Sequence, residues 1–87
     1  LQAELTMAAI TMDFLRMMQP GEVLTVVCRD AAALDSMYRT AMEMRSREED
    51  RARYAVSRGA TTLSVVVRRW PGEGEKDSGL TRTVFKD

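Results

Sequence analysis

The run Glu22–Cys28 (EVLTVVC) constrains the fold more than any other segment. It is rich in β-branched residues and apolar along nearly its whole length. Pro20-Gly21 bounds it on one side and Asp30 on the other. Such a run reads as a strand with both faces covered. Asp30 is placed to cap a helix whose first turn is Ala31–Ala33. Along that helix Leu34, Met37, Tyr38, Ala41 and Met44 recur at helical spacing on one stripe. A strand followed by an amphipathic helix makes the chain α+β.

Upstream, residues 1–19 read as a helix. Met7, Ile10, Phe14, Met17 and Met18 form one stripe, and Leu5, Ala8, Met12 and Leu15 form another on nearly the opposite side. Thr11 followed by Asp13 offers a second start, with the helix beginning only at Met12. Two apolar sides exceed what one small core needs. The second stripe (Leu5, Ala8, Met12, Leu15) is therefore the expected contact of a homo-oligomer.

Downstream, EMRSREEDRAR (Glu43–Arg53) reads as the solvated end of the second helix, with i,i+4 pairs Glu43–Arg47 and Glu49–Arg53. Residues 53–58 and 61–69 then alternate as a hairpin across a two-residue Gly59-Ala60 turn. That register pairs Tyr54 with Val65 and Val56 with Leu63. It turns Tyr54, Val56, Leu63, Val65 and Val67 to the core and Arg53 and Arg68 outward. Pro71–Gly79 (PGEGEKDSG) has no apolar residue and reads as a flexible loop. Leu80–Lys86 reads as a last strand, antiparallel to the one before it or exchanged with a neighbouring chain. The expected architecture is one domain over residues 1–87. Two helices pack on one face of a three- or four-stranded sheet, in the order α-β-α-β-β-(β). A βαβ unit around the second helix would cross over right-handed if its strands are parallel.

The chemistry is narrowed by what is missing. There is no histidine, and Cys28 is the only cysteine. The side chains used most for metal ligation and for proton transfer near neutral pH are thereby gone, and an internal disulfide is ruled out. No metal or other cofactor is expected. Glu48, Glu49 and Asp50 are neighbours on a helix and point in different directions. The arginines around them hold carboxylates ionised, so a solvated charge run is the plainer reading. Cys28, next to Arg29 and the start of a helix, is the one candidate nucleophile, although a lone cysteine more often packs as a small hydrophobe. An enzyme is not expected. Gly72, Gly74 and Gly79 do not fit a phosphate loop. No apolar run approaches a membrane span, and Asp13 and Arg16 interrupt the nearest one, Leu5–Met18. The chain opens on Leu1, which reads as a trimmed start, and the default compartment is the cytoplasm.

The thirteen cations include a strong excess of arginine, balanced by thirteen acidic residues to a net charge of zero. Arg45, Arg47, Arg51, Arg53 and Arg58, then Arg68 and Arg69 beside Trp70, gather late in the chain. Arginine suits bidentate contact with phosphate or base edges, and Trp70 offers a stacking surface. This set is the candidate nucleic-acid contact, weighed against a neutral chain where a plainly basic one is usual. The leading expectation is a small non-enzymatic interaction module that self-associates through its first helix. A nucleic-acid-binding accessory protein is the alternative.

Three further segments carry a resemblance. MDFLRMMQPGEVLTVVCR (Met12–Arg29), the Tyr-x-Val-Ser-Arg strand Tyr54–Arg58 and the Val-Val-Val-Arg strand Val65–Arg68 together resemble small uncharacterised proteins of bacterial phages and mobile elements. The similarity covers roughly residues 12–69. It implies a helix, a PGE turn, a strand, a helix and a hairpin. It also implies a DNA-associated setting, and it brings no catalytic residues.

Overall fold

The computed structural model describes residues 2–7, 10–49, 53–59 and 62–86. Its elements are β1 (Gln2–Met7), α1 (Met12–Arg16), β2 (Val23–Cys28), α2 (Ala31–Arg47), β3 (Tyr54–Arg58), β4 (Ser64–Arg69) and β5 (Thr81–Lys86). The strands form one mixed sheet in the order β1-β5-β2-β4-β3. The class is α+β, as the sequence predicts.

The N-terminal region corrects the expectation of one long helix. Residues 2–7 are a strand, parallel to β5, with Leu5 opposite Val84. Their sequence alternates Gln-Ala-Glu-Leu-Thr-Met, a period of two that competes with the helical stripes. The helix starts at Met12, where the Thr11 side chain accepts the Phe14 N–H at 3.2 Å. It ends at Arg16, so Met17 leaves helical phase and is 79% exposed while Met18 turns into the core.

Gly21 makes the turn into β2 with φ +81. A Cβ there would collide with Asp77 Oδ1, so only glycine fits both the conformation and the packing. Glu22, fully buried, follows. Its carboxylate accepts the Gln19 N–H at 3.0 Å and meets Arg82 Nη1 at 3.4 Å, fastening the start of β2 to β5. Asp30 caps α2 by accepting the Ala33 N–H at 2.8 Å. Leu34, Met37, Ala41 and Met44 are buried beneath the helix, and Tyr38 packs at its margin.

The hairpin keeps its faces but not its register. Tyr54 lies opposite Arg69, Val56 opposite Val67 and Arg58 opposite Val65. This is four residues away from the pairing that a Gly59-Ala60 turn would set. The pairing of β4 with β2, Val23 opposite Arg68 through Val27 opposite Ser64, fixes where β4 starts. The connection therefore runs from Gly59 to Ser64, whose backbone groups meet at 2.8 Å. Ala60 lies outside the described residues. An even shift preserves which side each residue faces. Tyr54, Val65 and Val67 are buried as expected, but Leu63 falls in the connection and is 40% exposed.

β5 follows β4 in the chain, but it does not pair with it. The 71–80 loop carries it across the start of β2, and it inserts between β1 and β2, parallel to both. That loop is pinned rather than loose. Glu75 accepts the Gly72 N–H at 2.8 Å and bridges Arg53 and Arg69, and the Ser78 N–H donates to the Pro20 carbonyl at 2.8 Å. β2 and β3 run in the same direction with β4 between them, so α2 bridges strands that are not neighbours. Among the described residues no helix is long and apolar enough to cross a membrane.

Candidate interaction surface

Alternation along the strands divides the sheet into two faces. Leu24, Val26, Cys28, Val65, Val67 and Val84 are buried on the side that joins Leu15 and the α2 stripe in one core cluster. The intervening residues Val23, Thr25, Val27, Val66 and Thr83 are half-exposed, and Phe85 is 41% exposed. On adjacent strands they fall in register, with Val23 opposite Thr81, Thr25 opposite both Val66 and Thr83, and Val27 opposite Phe85. Both helices lie on the other side, leaving a largely β-branched strip across β5, β2 and β4, with Arg68 of β4 on the same face opposite Val23. The strands that carry most of it, β5 and β2, are parallel. Parallel strands are normally covered on both faces. The nearly unbroken apolar run of Glu22–Cys28 is the sequence trace of this face.

The interface residues expected on the first helix do not form a stripe. Leu15 has no exposure and belongs to the core, and Met12 packs against that core. Leu5 is in β1, and Ala8 lies outside the described residues.

The arginines are also dispersed. Arg47 pairs with Glu43 at 2.7 Å, and Arg58 pairs with Asp35 at 2.6 Å while lying 5.1 Å over the Tyr38 ring. Arg53 and Arg69 share Glu75, and Arg69 also donates to the Met18 carbonyl. Arg45 Nε donates to the Tyr54 carbonyl at 2.8 Å. Arg68 lies 4.2 Å over the Trp70 ring. Arg51 lies outside the described residues. Carboxylates thus answer Arg47, Arg53, Arg58 and Arg69, and the set does not converge on one cationic surface. Glu48, one of the acidic run, meets Arg16 at 3.3 Å.

Cys28 is buried at the end of β2. Burial pushes its thiol up, opposed by Lys86 and reinforced by Asp30. A thiol held protonated is a poor nucleophile. Among the described residues no three His, Cys, Asp or Glu side chains converge on a metal position.

Two clefts border β3. One, of about 340 Å³, lies among Glu48, Glu49, Arg53, Tyr54 and Arg69. The other, of about 390 Å³, lies at the β3 edge, lined by Tyr38, Met42 and Arg45 from α2 and by Tyr54, Ala55 and Val56 from β3, beside Trp70. No protein-family model, curated protein or solved structure matches the chain.

Proposed function

We propose that this protein is a non-enzymatic interaction module that self-associates by apposing the helix-free faces of two sheets. The strip Val23, Thr25, Val27, Val66, Thr83 and Phe85, in register, partly exposed and covered by no described helix, carries this reading. The six residues carry no charge, so they meet their own copies without like-charge repulsion, and Arg68, opposite Val23, stands at the margin of the strip. Three strands about 4.8 Å apart, with residues about 3.3 Å apart, make the strip roughly 14 by 20 Å. Two such strips bury on the order of 600 Å², the size of a weak, concentration-dependent interface. The self-association expected from the sequence is retained, and its surface moves from the first helix to the sheet.

Sedimentation of the wild type against a Val66→Lys/Phe85→Glu variant tests this. The expected result is a wild-type dimer at high micromolar concentration and a folded monomeric variant by circular dichroism. A monomeric wild type at that concentration overturns the reading. A variant that stays dimeric rejects this surface. The nucleic-acid alternative rests on Arg68 and Trp70 alone, and it predicts affinity for single strands that falls steeply with salt.

A further inference from the structure

Among the described residues no strand pairs with the outer edge of β3, and a cleft borders it. The Gly59 N–H donates to the Ser64 carbonyl and the Trp70 N–H to the Arg53 carbonyl, so residues 53, 55, 57 and 59 direct their backbone groups toward β4. Residues 54, 56 and 58 then direct theirs outward. The Tyr54 carbonyl confirms the direction, because it receives Arg45 from α2. Beyond that contact the N–H and C=O of Val56 sit mid-edge, and β3 ends the sheet. Natural edges are usually blunted by charge, proline or a bulge. β3 has no proline, and its one charged residue, Arg58, is tied back to Asp35 and Tyr38.

The cleft of about 390 Å³ straddles this edge. Tyr38, Met42 and Val56 line its helix side, and Ala55 and Trp70 line its other side. An incoming strand would place successive side chains alternately into these two halves. Arg45 and Arg68 border them and face no carboxylate among the described residues.

We propose that β3 accepts an extended peptide segment of a partner protein by strand addition, with apolar residues at alternating positions and carboxylates beside them. Backbone pairing with Val56 supplies affinity, the cleft selects the apolar side chains, and Arg45 and Arg68 select the acidic ones. This site uses the outer edge of the sheet at β3, whereas the proposed dimer uses the strip centred on β2 and β5.

The test is titration of the full chain with a synthetic peptide of alternating valine and threonine carrying a glutamate at each end. Nuclear magnetic resonance follows amide exchange during the titration. The expected result is saturable binding with exchange of the Val56 amide slowed about tenfold or more. Of two isomers N-methylated on alternate residues, one loses about tenfold or more in affinity and the other retains it, because only one peptide edge docks. Met42→Glu weakens every peptide. Arg68→Glu weakens the glutamate-ended peptide and spares a lysine-ended one. Phe85→Glu, on β5, leaves binding unchanged, which separates failure here from failure of the dimer. Absence of saturable binding, equal binding of both N-methylated isomers, or shifts confined to Thr83 and Phe85 overturns the proposal. Protection of the Val56 amide by rising concentration of the protein alone also overturns it, in favour of a second copy at this edge.

Discussion

Cys28 and Tyr54 show how burial converts residue identity into a pH response. The Cys28 thiol is buried at the end of β2 and is held above its ordinary 9.0, chiefly by desolvation. The Tyr54 phenol, on the buried face of β3, is held above its ordinary 10.0 by desolvation, with Arg69 and Arg53 opposing and Glu48 and Glu75 reinforcing. Both groups are neutral when protonated, so the folded state keeps protons that the unfolded chain has released. Stability is therefore fully present below pH 9 and falls as pH rises through the shifted values. Denaturant midpoints measured from pH 7 to 11 should decline from about pH 9 onward. Cys28→Ala should flatten the first part of that decline and leave the tyrosine part. A midpoint that rises over this range contradicts the burial of both groups. The same burial holds the lone cysteine protonated, for all its proximity to Arg29 and the start of α2.

At the scale of elements, β4 separates residues that the sequence places together. Val65 and Val67 are fully buried against the core, while Leu63 lies in the connection to β3. Val65→Ala or Val67→Ala should cost on the order of 2 kcal/mol in chemical unfolding, and Leu63→Ala less than about 0.5 kcal/mol. A large loss for Leu63 would restore the short-turn register. The contrast shows what was legible. Faces follow from alternation, which is local, so Tyr54, Val56, Val65 and Val67 are assigned from sequence alone. Register depends on the partner strand, here β2, and a plausible Gly-Ala turn cannot report it. The Asp30 cap and the α2 stripe are local and were readable for the same reason. The N-terminal strand was hidden because Leu5 and Met7 satisfy a helical stripe as well as a period of two. Parallel pairing with β5, a partner some eighty residues away in the chain, decides between the two. The candidate surface suffered more. The arginines cluster in sequence, but their carboxylate partners Asp35, Glu43 and Glu75 come from three different places in the chain.

For the whole molecule, β5 joins the core to the proposed association surface. It is the last of the described strands in sequence but lies inside the sheet, with β1 on one side and β2 on the other. Adjacent residues on it serve opposite faces: Val84 is fully buried in the core, and Phe85 stands on the helix-free strip. Their substitutions should fail in different ways. Val84→Ala removes core packing and should lower Tm at every protein concentration, by on the order of 5 °C for a domain of this size. Phe85→Glu removes no core packing, so on the proposed dimer it acts only through association. Because a partner that binds only the folded state stabilises it by mass action, wild-type Tm should climb with protein concentration. Val84→Ala should show the same climb from a lower start. Phe85→Glu should match the wild type when dilute and lose the climb entirely. Thermal scans over a hundredfold range of concentration read both effects at once. A wild-type Tm that does not move with concentration would leave the helix-free face without a second copy, while the Val84 result would still stand as a measure of how firmly the inserted strand holds the sheet together.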